Sequence, residues 1–86
     1  MFNKRLHDVR TSRGFTQQYM ADSIDIQLRS YQFYESGDRS PSLDTLVKIA
    51  DVLNVPTDYL LCRDDFLRSL GVSVDVYKEG LPANPK

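Results

Sequence analysis

Four side chains share one face of the predicted third helix and carry groups that suit directional hydrogen bonding and apolar contact. The run before Gly37 reads as a helix, and at about 100° per residue Leu28, Arg29, Gln32 and Phe33 fall within one arc. A guanidinium can pair in bidentate fashion with guanine O6 and N7, and an amide can bind an adenine edge or a phosphate. Leu and Phe side chains can contact thymine methyl groups. The opposite arc, which we expect to face the core, contains Gln27, Ser30, Tyr31 and Tyr34.

The two apolar members of this face allow a second interpretation. Leu28 and Phe33 would be poorly hydrated on a free helix, and exposed apolar patches often mark a contact with another protein. Burial against another chain or a partner helix is therefore the alternative to base recognition.

Residues that could support catalysis are few and scattered. His7 is the only histidine and Cys62 the only cysteine, so no cluster has metal-ligand spacing. The adjacent carboxylates Asp64 and Asp65 read as charges at a helix start, and no glycine-rich loop could hold a phosphate. We expect no enzyme, no metal and no cofactor.

Length and composition limit the architecture to one small globular unit. The chain has 86 residues, of which 41% are hydrophobic and 27% charged, and such a length can bury one modest core but excludes a two-domain enzyme with a cleft. No stretch is apolar enough to span a membrane. A single cysteine is typical of the reducing cytosol, so we expect a cytoplasmic protein.

The charge distribution is nearly balanced. The net charge is −1, with +1 over residues 1–40 and −2 over the remainder. This charge balance argues against a general polyanion binder, so any nucleic-acid role depends on local charge.

Periodicity and stop signals predict five helices over residues 2–63. The first, about residues 3–13, closes at Gly14; the second starts after the capping hydroxyl of Thr16 and runs to about residue 23. The third covers residues 28–36. A fourth begins after Ser42 and stops at Asn54, and a short fifth follows Pro56. Between the second and third helices the chain must turn within a few residues, and Asp25 tolerates positive φ there.

Two short helices joined by a tight turn have the spacing of a helix-turn-helix. Residues 2–63 resemble the phage-repressor-like helix-turn-helix family, also called Cro-type or XRE. The resemblance implies an all-α, five-helix lambda-repressor-like domain that binds DNA. It rests on Arg10, Gly14-Phe15-Thr16-Gln17, Ala21, Tyr34-Glu35-Ser36-Gly37, Pro41-Ser42-Leu43, Leu46, Lys48, Ile49, Ala50, Leu53 and Val55.

The resemblance also implies roles for particular residues. The positions of Leu28, Arg29, Gln32 and Phe33 are the usual base readers, and Gln17 binds phosphate and braces the third helix. Arg10 and Glu35 resemble a structural ion pair, and Arg10 also lies near phosphate in the family. Further phosphate candidates lie beside these elements, with a merely solvated position as their alternative; they are Gln18, Arg39, Ser40 and Ser42.

Three positions depart from the family pattern. Asp25 stands where the turn usually has Gly, Gln27 where a Ser or Thr cap is common, and Phe33 where a basic or polar residue is frequent. These departures affect the expected operator sequence rather than the fold.

A C-terminal extension, residues 64–86, follows the predicted DNA-binding domain of residues 1–63. We expect one or two helical turns up to Gly71, then a strand in which valines alternate with polar residues, then an unstructured end from residue 80. The extension either pairs with its two-fold mate or folds back on the domain. The candidate dimerisation residues are Phe66, Leu70, Val72, Val74 and Val76.

Taken together, the sequence predicts a transcriptional regulator that binds double-stranded DNA. We expect a repressor from a bacterial or phage genome that acts as a homodimer on a pseudo-palindromic operator. The alternative is a protein-interaction module, antitoxin-like or adaptor, in which the apolar face and the extension bind a protein partner.

Overall fold

The computed structural model describes residues 1–78, which form seven helices. The predicted all-α architecture is confirmed. The helices are α1 (Phe2–Ser12), α2 (Gln17–Ser23), α3 (Leu28–Ser36), α4 (Leu43–Leu53), α5 (Thr57–Leu60), α6 (Asp64–Ser69) and α7 (Asp75–Lys78).

The predicted start and stop signals act as expected. The Thr16 hydroxyl accepts a hydrogen bond from the Tyr19 amide at 2.9 Å and so caps α2, and Ser42 caps α4 in the same way. The left-handed Asn54 ends α4. Gly37 ends α3 with φ of +88°, a conformation that favours glycine. A Cβ there would lie 3.2 Å from the side-chain amide of Asn3, which would have to shift slightly.

The turn between α2 and α3 is short and hydrogen-bonded. Asp25 adopts φ of +60°, as predicted, and the Ile26 amide then donates to the Ala21 carbonyl at 3.0 Å. Ala21 and Ile24 are buried beneath this turn. The turn thereby fixes the angle at which α3 crosses α2 and presents its outer face.

All seven helices pack around one apolar core. The stripes of α1 and α4 supply Leu6, Ile49 and Leu53, each fully buried, and α6 adds Leu67. The buried apolar set is Leu6, Val9, Met20, Ala21, Ile24, Tyr31, Leu46, Ile49, Ala50, Leu53, Val55, Tyr59, Leu60, Leu67 and Val74.

The predicted C-terminal strand is wrong. Residues 72–74 are irregular and α7 follows them, so Val72, Val74 and Val76 do not form an edge for pairing. Val74 is only 2% exposed within the core, whereas Val76 is 46% exposed. Alternation of β-branched residues is a local preference, and burial of Val74 in its own domain overrides it.

Residues 64–78 of the extension therefore fold back on the domain. Gly71 reverses the chain with φ of +82°, and α7 packs against α1. The ring centroids of Tyr77 and Tyr59 lie 5.1 Å apart. Arg13 adds hydrogen bonds to the carbonyls of Leu53 and Tyr77. The predicted unstructured end, residues 80–86, lies outside the described residues.

We expect Val74→Ala to lower the free energy of unfolding by about 2 kcal/mol, because it removes two buried methyl groups and leaves a cavity. The matched change at the exposed Val76, Val76→Ala, should cost less than about 0.5 kcal/mol. Urea unfolding at several protein concentrations measures both. Equal losses, or a Val74→Ala loss that disappears on dilution, would contradict intramolecular burial of Val74.

Candidate nucleic-acid interface

The outer face of α3 is accessible and mainly polar. Arg29 and Gln32 are exposed, whereas Leu28 and Phe33 are half-buried. Tyr31, on the opposite side of the helix, is completely buried. The structure therefore brings the four predicted base-reading residues together on one face, with the two polar side chains as its most accessible members.

A buried carboxylate holds α3 in place from behind. Glu35, whose side chain is 5% exposed, accepts hydrogen bonds from Nε and Nη2 of Arg10, from the Tyr31 hydroxyl and from the Gln17 amide. Each carboxylate oxygen receives two donors, which is close to its full capacity. The third Arg10 nitrogen donates to the Phe15 carbonyl at 2.7 Å, so this Glu35 cluster links α1, α2, α3 and the connection between α1 and α2.

The cluster keeps Glu35 ionised. Burial raises the pKa of a carboxyl group, but the hydrogen bonds from Arg10, Tyr31 and Gln17 outweigh it and hold the pKa of Glu35 below its ordinary value. The Arg10 guanidinium, whose pKa is raised above its ordinary value by the same pairing with Glu35, stays charged. Arg10 is itself buried.

Gln17 connects the buried cluster to the outer face. Its Nε2 donates to Glu35 at 3.1 Å, and its Oε1 accepts a hydrogen bond from Nε2 of Gln32 at 3.3 Å. The Gln32 amide is therefore oriented before any ligand arrives. A chain of hydrogen bonds thus runs from a buried charge to a surface amide on α3.

Two arginines contact the aromatic ring of Phe33 on this face. The Arg29 Cζ lies 5.4 Å from the Phe33 ring centroid, and the Arg39 Cζ lies 4.4 Å from it. Within residues 1–78, neither guanidinium has a hydrogen bond or a carboxylate partner. Their donors are therefore available to an outside ligand.

The remaining phosphate candidates differ in how free they are. The Gln18 amide donates to Asp22 on its own helix at 2.8 Å. The Ser42 hydroxyl accepts from the Thr45 amide and donates to the Thr45 hydroxyl. Ser40 is exposed beside Arg39. Gln17 is half-buried, and its side chain already bonds Glu35 and Gln32.

Apolar side chains are exposed at several places outside α3. On and after α6, Phe66 is 40% and Leu70 is 63% exposed; these are predicted dimerisation residues, as is Val76. A second surface was not identified from the sequence: Leu43, 81% exposed, and Leu61, 39% exposed, line an open groove of about 240 Å³ with Phe2 and Pro41.

Two parts of this site are not predicted from the sequence. The hydrogen bond from Tyr31 to Glu35 is one, although a spacing of four residues on a helix puts the two side chains together. The contact of Arg39 with Phe33 is the other. The sequence carries no signal for it, because the loop that returns Arg39 to α3 is irregular.

The described part of the chain contains neither a candidate metal site nor a candidate membrane-spanning helix. Residues 1–78 contain no group of three His, Cys, Asp or Glu side chains that could hold a metal ion. Among the same residues, no helix has the length and apolar character needed to cross a membrane.

Comparison with known proteins gives one family. Residues 6–60 match the family model described as Helix-turn-helix. This match contains α2, the turn and α3, together with the Arg10 and Glu35 positions of the buried cluster. No solved structure matches the chain.

Several bacterial regulators are similar to this chain. The SPbeta prophage-derived uncharacterized HTH-type transcriptional regulator YonR of Bacillus subtilis is 48% identical over 61 residues, which are 71% of this chain and 56% of that relative. The HTH-type transcriptional regulator ImmR of the same organism is 40% identical, covering 72% of this chain and 49% of the relative. The cryptic phage CTXphi transcriptional repressor RstR of Vibrio cholerae is 47% identical over 60 residues, which are 70% of this chain and 54% of that relative. The chain spans about half the length of these relatives.

We expect Glu35→Gln to lower the free energy of unfolding by about 3 kcal/mol near neutral pH, because the buried Arg10 loses its counter-charge. In the unmodified protein the pKa of Glu35 is lower in the folded state than in the unfolded state, where it is near 4.5. The ionised Glu35 therefore stabilises the fold at pH values above about 4.5, and this stabilisation is lost as the pH falls from there through the pKa of the folded state. The deficit of Glu35→Gln should therefore shrink on acidification. Denaturant unfolding at pH 7, 5 and 3.5 measures it.

Asp65→Asn is the matched control for this prediction. Asp65 pairs with Arg68 at 3.1 Å, but the Asp65 side chain is fully exposed, so the change should leave the free energy of unfolding almost unaltered. A Glu35→Gln deficit that is as small as the control's, or that does not depend on pH, would contradict the role of the Glu35 cluster.

Proposed function

This chain belongs to the helix-turn-helix family, and on that basis we propose that it regulates transcription by binding specific sequences of double-stranded DNA. Repression is the mode that we favour. The relatives named as regulators and as a phage repressor support the proposal, and so does the polar face of α3.

The observation that carries the proposal is that hydrogen-bond donors on the outer face of α3 are exposed and available to a ligand. Arg29 is exposed and has no hydrogen bond or ion pair within the described residues, while Gln32 is already oriented through Gln17. Such donors on a helix that is fixed from behind suit base edges in the major groove. Arg29 would read guanine, Gln32 an adenine edge or a phosphate, and Leu28 and Phe33 thymine methyl groups.

Phosphate contacts would fix the position of α3 in the groove. Arg39 and Ser40, just beyond α3, are exposed and are the strongest candidates. Gln17, Gln18 and Ser42 are weaker candidates because their side chains already have partners. We assign Arg10 to the ion pair with Glu35, since its guanidinium is buried and each of its three nitrogens donates to Glu35 or to the Phe15 carbonyl.

We further propose that two copies bind together on a pseudo-palindromic operator. One α3 offers few base contacts, and a two-fold dimer doubles them in successive turns of the groove. The exposed Phe66, Leu70 and Val76, with the half-buried Val72, are the candidate contacts between copies; the buried Val74 is not available. Such a repressor would act in the cytoplasm by occupying DNA that polymerase needs, without a cofactor.

A protein-interaction module is the second candidate function. The groove lined by Leu43 and Leu61 and the net charge of −1 favour it. Phosphate contacts make log affinity fall steeply with log salt, whereas an apolar protein interface does not. A salt titration of duplex binding therefore distinguishes the two functions.

Selection of duplexes from a randomised pool, followed by sequencing, tests sequence-specific binding. We expect a two-fold site whose half-sites lie about one helical turn apart. Arg29→Ala should weaken binding to that site and relax the preference at one base pair per half-site, by about 1–3 kcal/mol. Lys48→Ala, which removes an equal charge from an exposed position of α4, is the matched control and should keep the preference.

The outcomes of this selection separate the alternatives. An enriched site without two-fold symmetry would contradict the dimer but not DNA recognition. No enrichment at low salt would contradict sequence-specific binding, and capture of a protein partner would then be the next experiment.

Arg39→Ala should weaken binding to all duplexes by similar factors. Because Arg39 is proposed to contact a phosphate, its loss should reduce the slope of log affinity against log salt by about 1 per bound chain. Fluorescence anisotropy with the selected duplex and with a scrambled duplex, at several salt concentrations, measures both quantities. A loss restricted to the selected duplex would instead indicate base reading by Arg39.

A further inference from the structure

Phe33 differs from the other residues on the outer face of α3 in what covers it. Its ring is half-buried and lies beneath two guanidiniums, those of Arg29 at 5.4 Å and Arg39 at 4.4 Å from the ring centroid. The Arg39 amide also donates to the Phe33 carbonyl at 3.3 Å. One residue therefore contacts both arginines through its side chain and holds the loop of one of them through its backbone.

The contact leaves the hydrogen-bonding capacity of both arginines intact. A guanidinium is planar, and its five donors point outward in that plane, while its faces carry none. A guanidinium placed over an aromatic ring is attracted by the ring electrons, and this attraction needs none of its hydrogen bonds. Within residues 1–78 the donors of Arg29 and Arg39 have no other partner, so both remain available while their side chains are restrained.

We propose that Phe33 is a positioning residue that holds Arg29 and Arg39 on one aromatic ring and so couples the base-reading arginine to the phosphate-binding arginine. The inference rests on the proposed function, in which these two arginines bind DNA. It changes the part that Phe33 plays there: the ring acts through the arginines, and contact with a thymine methyl group is not its main contribution.

The coupling follows from the mobility of arginine side chains and from their charge. A free arginine loses much rotamer freedom when it binds, and restraint before binding reduces that loss. Two guanidiniums near one ring also repel each other, and the electron-rich ring face offsets this repulsion until DNA supplies negative charge. Arg29 and Arg39 are ten residues apart in sequence, and the ring is the feature that they share.

The test compares Phe33→Leu, which keeps an apolar side chain, with Phe33→Trp, which keeps an aromatic face. We expect Phe33→Leu to weaken binding to the selected duplex by about tenfold, from the loss of two cation–π contacts, with the melting temperature little changed. Phe33→Trp should stay within about threefold of the unmodified protein, since Trp is the strongest cation–π partner. Equal losses for both variants would overturn the proposal.

A double-mutant cycle shows whether the ring acts through the arginines. In a chain that carries Arg29→Ala and Arg39→Ala, Phe33→Leu should have no further effect on affinity for the selected duplex, measured at low salt where binding remains detectable. An equal effect in both backgrounds would overturn the proposal, because it would mean that the ring contacts DNA directly.

A measurement on the free protein separates this proposal from the proposed function. The ring should shift the NMR signals of the Arg29 and Arg39 side chains, and Phe33→Leu should abolish both shifts. Absence of the shifts in the unmodified protein would overturn the positioning role, whatever the DNA result. Failure of the unmodified protein to bind any duplex would overturn the proposed function and the coupling to DNA, even with the shifts present.

Discussion

The buried carboxylate of Glu35 is the interaction on which the rest of the structure depends. It accepts four hydrogen bonds from residues of α1, α2 and α3. A carboxylate removed from water is costly unless its oxygens are fully paired, and the pairing here requires all three helices to be in place at once. The position of α3 is therefore fixed by an electrostatic requirement as well as by apolar packing, which alone tolerates small shifts.

This requirement reaches the surface through Gln17. The same amide group that completes the Glu35 cluster orients Gln32 on the outer face, so the core and the proposed reading surface form one hydrogen-bonded unit. The arginines are arranged differently. Arg29 and Arg39 are restrained by the ring of Phe33, a contact that holds them without using their donors. A hydrogen bond thus orients Gln32, and an aromatic ring holds Arg29 and Arg39, so that the outer face of α3 is arranged before DNA binds.

Two departures from the family pattern fit this arrangement. Asp25 adopts the left-handed conformation that glycine would adopt more easily, and the turn still forms because burial of Ala21 and Ile24 beneath it outweighs the local strain. Phe33 stands where a polar residue is frequent, and its ring gains cover from two guanidiniums. In both cases an unfavourable local choice is offset by a contact from elsewhere in the chain.

The sequence by itself determined helices α1 to α5, the caps of α2 and α4 and the outer face of α3. Thr16, Ser42, Gly37 and Asn54 act through bonds within a few residues, and helical periodicity placed Tyr31 inward and Arg29 outward. Tertiary structure alone decided where distant segments meet. The valines after Gly71 have the local preference of a strand, but Val74 is buried in the core and α7 forms. Arg39 meets Phe33 through an irregular loop. Local patterns record what each segment prefers, whereas contacts between segments depend on the free energy of the whole core.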